Sequence, residues 1–129
     1  MNQYALDTMA LVLYLEKRVI PGNIQTIFTS AENEEIGIFI PAMVVAEIVY
    51  LSEKSRIDAN ISLISNLMNA NKSFQLAPLN FDALRRSFEL TDIPELHDRL
   101  IAGTAVSMNI PLVTNDPIIV KSAHVETTW

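Results

Sequence analysis

Apolar residues recur along this chain at two spacings. Short β-type runs at Tyr4–Leu6, Ile36–Ile40, Phe74–Ala77, Pro111–Thr114 and His124–Thr128 predict five strands. Longer stretches with helical periodicity predict helices over roughly Thr8–Lys17, Asn23–Asn33, Ala42–Ser52, Ile57–Ala70, Phe81–Phe88 and Leu96–Met108. Strands separated by helices imply right-handed crossovers and a mainly parallel sheet covered on both faces, so the strands should be apolar rather than alternating. The run from Ile36 to Ile40 has that character. The stretch Ser55–Asn60 reads as the turn between two helices, and Asn80 as a helix cap.

A length of 129 residues suits one domain with one core, and no linker or internal repeat divides it, so residues 1–129 are expected to form a single unit. Half of the residues are hydrophobic and 19% are charged, a balance typical of ordered globular chains. The longest apolar runs, Met9–Leu15 and Pro41–Ala46, fall far short of the roughly 20 residues needed to cross a bilayer, which argues against a membrane partner. The first residues lack the features of a secretory signal, and there is no cysteine; a reducing, cytoplasmic setting is the expectation.

The formal charge of −6 weighs against a nucleic-acid partner, because phosphate binding normally leaves a basic footprint. That objection weakens if several of the carboxylates are gathered to hold divalent cations. Asp7 directly follows the first apolar run, and Asp116 follows Pro111–Thr114; in a parallel α/β fold the carboxyl ends of strands are where ligands bind. Pro117 biases Asp116 toward an extended backbone. Each of these two residues reads equally well as a helix cap.

Glu47 is the only charge within Ala42–Leu51, and a lone buried carboxylate is costly unless paired, protonated or metal-bound; the competing reading is a narrow exposed stripe. Asp98 lies in the first turn of a predicted helix, where either capping or ligation fits. If the four groups converge, their mutual repulsion raises their pKa values and calls for a cation. An oxygen-only set favours a hard ion, Mg²⁺ or Mn²⁺, over zinc.

Four fragments in order carry a family resemblance: Ala5–Leu11, Ala46–Ile48, Leu96–Ala105 and Leu112–Asp116. Together they resemble the PIN domain, and specifically the VapC-type toxins of toxin–antitoxin systems, over nearly the whole chain. The resemblance implies a three-layer α/β/α fold around a central five-stranded parallel sheet. It also implies that Asp7, Glu47, Asp98 and Asp116 form an acidic site binding one or two Mg²⁺ or Mn²⁺ ions, at which an activated water cleaves single-stranded or loop RNA. Thr8 and Thr114 match positions where the family often carries a hydroxyl, and Thr114, with Asn115, is expected to orient Asp116 or bound water. Implied partners are an RNA substrate, a cognate antitoxin and a second copy of the chain in a homodimer, with operator DNA reached only through the antitoxin.

Gly103 stands where the family usually has Ala, a change expected only to loosen its helix slightly. His97, with His124 as its only companion, lacks the clustering of a zinc site and reads as structural. Arg99 reads as a phosphate contact or as solvated surface, and the other basic residues as surface charge. The helical stretch holding Ile57, Ile61, Leu63, Ile64, Leu67 and Met68 carries more apolar residues than one buried stripe needs, so it is either core or partner contact. Among rival functions, a haloacid-dehalogenase phosphatase would need an Asp where Met9 stands. A receiver domain would need an acidic pair that is missing, and a structure-directed DNA nuclease would need extensions for which there is no room. A catalytically silent PIN fold used as an RNA- or protein-binding module is the main alternative.

Overall fold

The computed structural model describes residues 2–129. Five strands, β1 (Gln3–Leu6), β2 (Gly37–Pro41), β3 (Phe74–Ala77), β4 (Leu112–Val113) and β5 (Thr127–Thr128), form one sheet in the order β3-β2-β1-β4-β5, and every pairing is parallel. The helices are α1 (Thr8–Leu15), α2 (Gly22–Glu32), α3 (Ala42–Glu53), α4 (Ile61–Ala70), α5 (Phe81–Ser87), α6 (Leu96–Met108) and α7 (Pro117–Val120). The arrangement is the three-layer α/β/α fold expected from the alternation of strands and helices.

The strand order sets the position of the functional region. From β1 the chain builds outward through β2 and β3, then returns to the other side of β1 to lay down β4 and β5. The order therefore reverses between β1 and β4, and a crevice opens beyond the carboxyl ends of two strands whose following helices diverge. The register Ala5↔Leu112 and Leu6↔Val113 brings the chain leaving β1 level with the chain leaving β4. The Asp7 N–H donates to the Val113 carbonyl at 3.1 Å, extending the ladder one residue past β1.

Beneath the crevice, Leu6, Leu11, Ile38, Ile40, Ile48, Ile101 and Leu112 belong to one continuous buried core. At one end of that core the Tyr14 ring stacks on Phe28, with centroids 4.1 Å apart and planes inclined by 6°. No helix among the described residues is long and apolar enough to cross a membrane.

Several boundaries differ from the periodicity. The fourth helix starts at Ile61 rather than Ile57, because Glu16 Oε2 accepts the N–H groups of both Asp58 and Ala59 and holds that segment as a loop. Asn60 then caps α4 by accepting from Leu63 N at 3.0 Å. The first helix ends at Leu15, two residues early, and Lys17 takes a left-handed backbone with φ of 56°. Only Thr127–Thr128 of the last expected strand pairs, and the four-residue helix α7 lies where no helix was anticipated. Along α4 only Ile64 is fully buried; Leu67 and Met68 pack partly, and Ile61 and Leu63 face solvent.

Gly103 has a firmer reason than helix loosening. A Cβ at this position would lie 2.1 Å from Ser87 Oγ and 2.7 Å from the Ser87 backbone N and Cα, so α5 and α6 meet where only glycine fits.

Candidate functional site

The cleft beyond β1 and β4 has a volume of about 190 Å³ and is lined by Asp7, Thr8, Met9, Glu47, Asp98, Ile101, Asp116 and Ile119. Four structural elements thus contribute one carboxylate each. Asp7 is the junction between β1 and α1; its Oδ1 accepts from Ala10 N at 2.8 Å, and the residue is only 8% exposed. Asp116 occupies the equivalent junction after β4, extended at φ −63° and ψ 119° ahead of Pro117, and its Oδ1 accepts from Ile118 N and Ile119 N. Both residues therefore cap a helix and also face the cleft, so the two sequence readings do not compete.

Glu47 projects from the middle of α3. It is neither fully buried nor on a free stripe, with its side chain 28% exposed, and Thr8 Oγ1 donates to Glu47 Oε1 at 2.5 Å. Asp98 is half-buried in the first turn of α6. Thr114 is fully buried, and its hydroxyl accepts the Asp116 N–H at 3.1 Å, fixing the turn that presents Asp116. Asn115 is exposed and does not line the cleft.

Electrostatics follow from this crowding. Burial pushes the Asp98 carboxyl up to about 6, and Glu95, Asp116, Glu47 and Asp7 add to the shift by repulsion. Burial likewise raises Asp7; the Thr114 hydroxyl and the Ala10 N–H oppose this, and Asp116 and Glu47 reinforce it. Among the described residues no three Asp, Glu, His or Cys groups are already drawn together as a formed metal cluster. One oxygen each of Asp7, Asp116 and Glu47 is engaged by an N–H or hydroxyl donor. The donor set nevertheless suits a hard divalent cation: it is all carboxylate oxygen, and burial, reinforced by the neighbouring carboxylates, raises Asp7 and Asp98.

The family model of the PIN domain matches residues 4–124. The chain belongs to the PIN domain family. No curated protein matches the sequence. Among solved structures, the fold of this PIN domain is similar to that of VapBC2 from Rickettsia felis bound to a DNA fragment from its promoter (TM-score 0.71, 23% identity, 98% of each chain covered). It is also similar to DNA-bound VapBC from Salmonella typhimurium (TM-score 0.73, 18% identity, 99% of this chain and 98% of that one). A third similar structure is FitAcB from Neisseria gonorrhoeae (TM-score 0.67, 16% identity, 98% and 96% covered). These likenesses extend over whole chains and concern the fold.

One residue near the site of this PIN domain had no sequence signal, and a second, His97, reads from the sequence as structural. Glu95 caps α6 by accepting from Asp98 N at 2.7 Å, although Glu is not a favoured capping residue, and it is the foremost charge acting on Asp98. His97 stands between two carboxylates, its Nδ1 3.3 Å from Glu95 Oε1 and 3.8 Å from Glu47 Oε2. Arg99, in contrast, turns away: its Nε donates to the Ile93 carbonyl, tying the head of α6 to the preceding loop.

Proposed function

We propose that this PIN domain is a metal-dependent endoribonuclease that cleaves single-stranded or loop RNA, and that it acts as the toxin of a toxin–antitoxin pair. The supporting observation is the convergence of Asp7, Glu47, Asp98 and Asp116, from four separate elements, on one cleft at the switch point of the sheet. In this reading Asp7, Asp98 and Asp116 hold one or two Mg²⁺ or Mn²⁺ ions. Bound there, the cation supplies a Lewis acid for the phosphodiester and lowers the pKa of a water molecule. Glu47, held by Thr8, completes the ligand set or orients the water for in-line attack, leaving a 5′-phosphate and a 3′-hydroxyl. Thr114 fixes the backbone that aims Asp116. The buried carboxylates are destabilised as anions when no cation is present, which gives binding its driving force.

The similar structures include VapBC and FitAB complexes, some bound to DNA. By extension, a cognate antitoxin silences this chain in the cytoplasm, and operator DNA is reached only through that partner. The exposed Ile61 and Leu63 of α4 support the reading that apolar helical surface is covered by a partner, and a second copy of the chain is our proposal for it.

The test is incubation of the antitoxin-free protein with structured and unstructured RNAs, with Mg²⁺ or Mn²⁺ and with chelator, beside Asp98→Asn. Metal-dependent cleavage lost in the variant is the expected result. No cleavage, together with no cation binding by either protein, would leave the fold as a binding module.

A further inference from the structure

Beside the acidic cleft lies a second pocket of about 470 Å³, lined by Met43, Ala46, Glu47, Tyr50, Leu51 and His97. The α3 residues recur at helical spacing and form one stripe, and His97 closes the pocket from the first turn of α6. Glu47 is a wall of both pockets, so whatever fills the second is contiguous with whatever occupies the first.

We infer that this pocket receives an unpaired nucleobase of the RNA strand, the base adjoining the phosphate at the acidic cleft. The inference rests on the nuclease reading for the identity of the strand. Three observations support it. First, neither lining contains a Lys or Arg, so the polyanionic backbone finds no cationic track there and affinity must come from bound cations and from the bases. Second, the pocket offers apolar walls and two rings: Tyr50, in the last turn of α3, is 58% exposed, and His97 lines the same pocket from α6. Aromatic faces of this kind stack unpaired bases without demanding a sequence. Third, the Lys54 ammonium covers one face of the Tyr50 ring, its Nζ 5.3 Å from the centroid, and leaves the other face for a planar partner. A base on that open face would leave its own phosphate near the ammonium group, while the interior, which holds no Lys or Arg, receives the neutral ring.

The test uses a short single-stranded RNA carrying 2-aminopurine, mixed with protein and Mg²⁺ in a stopped-flow cell, with cleavage read on the same samples. Stacking quenches the fluorescence. The expected result is a rapid quench with the wild type and with Tyr50→Phe, and its loss with Tyr50→Ala, with binding weakened on the order of 10-fold. Phe81→Ala, an exposed aromatic on α5 outside both pockets, serves as control and keeps the quench. A wild type that does not quench, or a Tyr50→Ala that quenches undiminished, overturns the inference. Quenching without cleavage leaves the pocket standing and removes the nuclease reading; cleavage without quenching does the reverse. Light scattering on the same proteins gives the last outcome: a dimer that dissociates in Tyr50→Ala assigns the pocket to a second copy of the chain and overturns the inference.

Discussion

Thr8 Oγ1 donates to Glu47 Oε1 at 2.5 Å, joining the first residue of α1 to the middle of α3 across 39 positions of sequence. The bond accounts for a carboxylate within the apolar run Ala42–Leu51: a neighbouring element supplies its donor.

Replacing Thr8 by Val keeps the shape and deletes the donor. Metal-dependent RNA cleavage should fall by about 10-fold or more, the usual effect of losing a group that orients a ligand, while the thermal midpoint in chelator changes little. Cleavage rates at saturating Mg²⁺ with the two proteins decide it; an unchanged rate would show that Glu47 is held in place without Thr8.

The raised proton affinities of Asp98 and Asp7 have a signed consequence for stability. A carboxyl whose folded pKa lies above its unfolded value binds more protons when native, so stability falls as pH rises between the two values. For Asp98 that window runs from the ordinary value of 3.8 to about 6. Without divalent cation, these two groups should therefore make the protein less stable at pH 7 than at pH 5, and Asp98→Asn should unfold at a higher temperature than the wild type at pH 7. Thermal melts in chelator across this range test both statements.

Cation affinity should change with pH in the opposite sense. Below about 6 a proton competes for Asp98, so Mg²⁺ or Mn²⁺ binding should strengthen as pH rises through that value and should release protons. Calorimetric titrations in two buffers of different ionisation enthalpy measure the release directly. Equal heats in both buffers would rule out the linkage.

The contact of α5 with α6 at Ser87 and Gly103 predicts a stability cost unrelated to chemistry. Gly103→Ala places a methyl group 2.7 Å from Ser87 backbone atoms, which cannot rotate away as a flexible side chain would. A loss of about 1–3 kcal/mol is expected for such overpacking, despite the better helix propensity of Ala. Urea unfolding should show a lower midpoint with an unchanged slope. Adding Ser87→Ala should recover only part of the loss, because the Ser87 backbone remains in the way.

Much of this fold was legible in local pattern. The apolar runs located all five strands and the six longer helices, because strands and helices bury their apolar residues at different periods. The strand-end positions of Asp7 and Asp116 followed from the same pattern, since a residue directly after an apolar strand lies on one rim of the sheet whatever the strand order. Local pattern could not say that the first and fourth strands are neighbours, because the order β3-β2-β1-β4-β5 depends on which strand edge each crossover returns to. That choice sets Asp7 beside Asp116, and the packing of α3 and α6 around the same rim adds Glu47 and Asp98. Likewise the role of Gly103 and the capping of α6 by Glu95 depend on contacts formed only when helices close on one another or on their preceding loops. Periodicity records which residues are buried, but the distance between two groups remote in sequence is decided by packing.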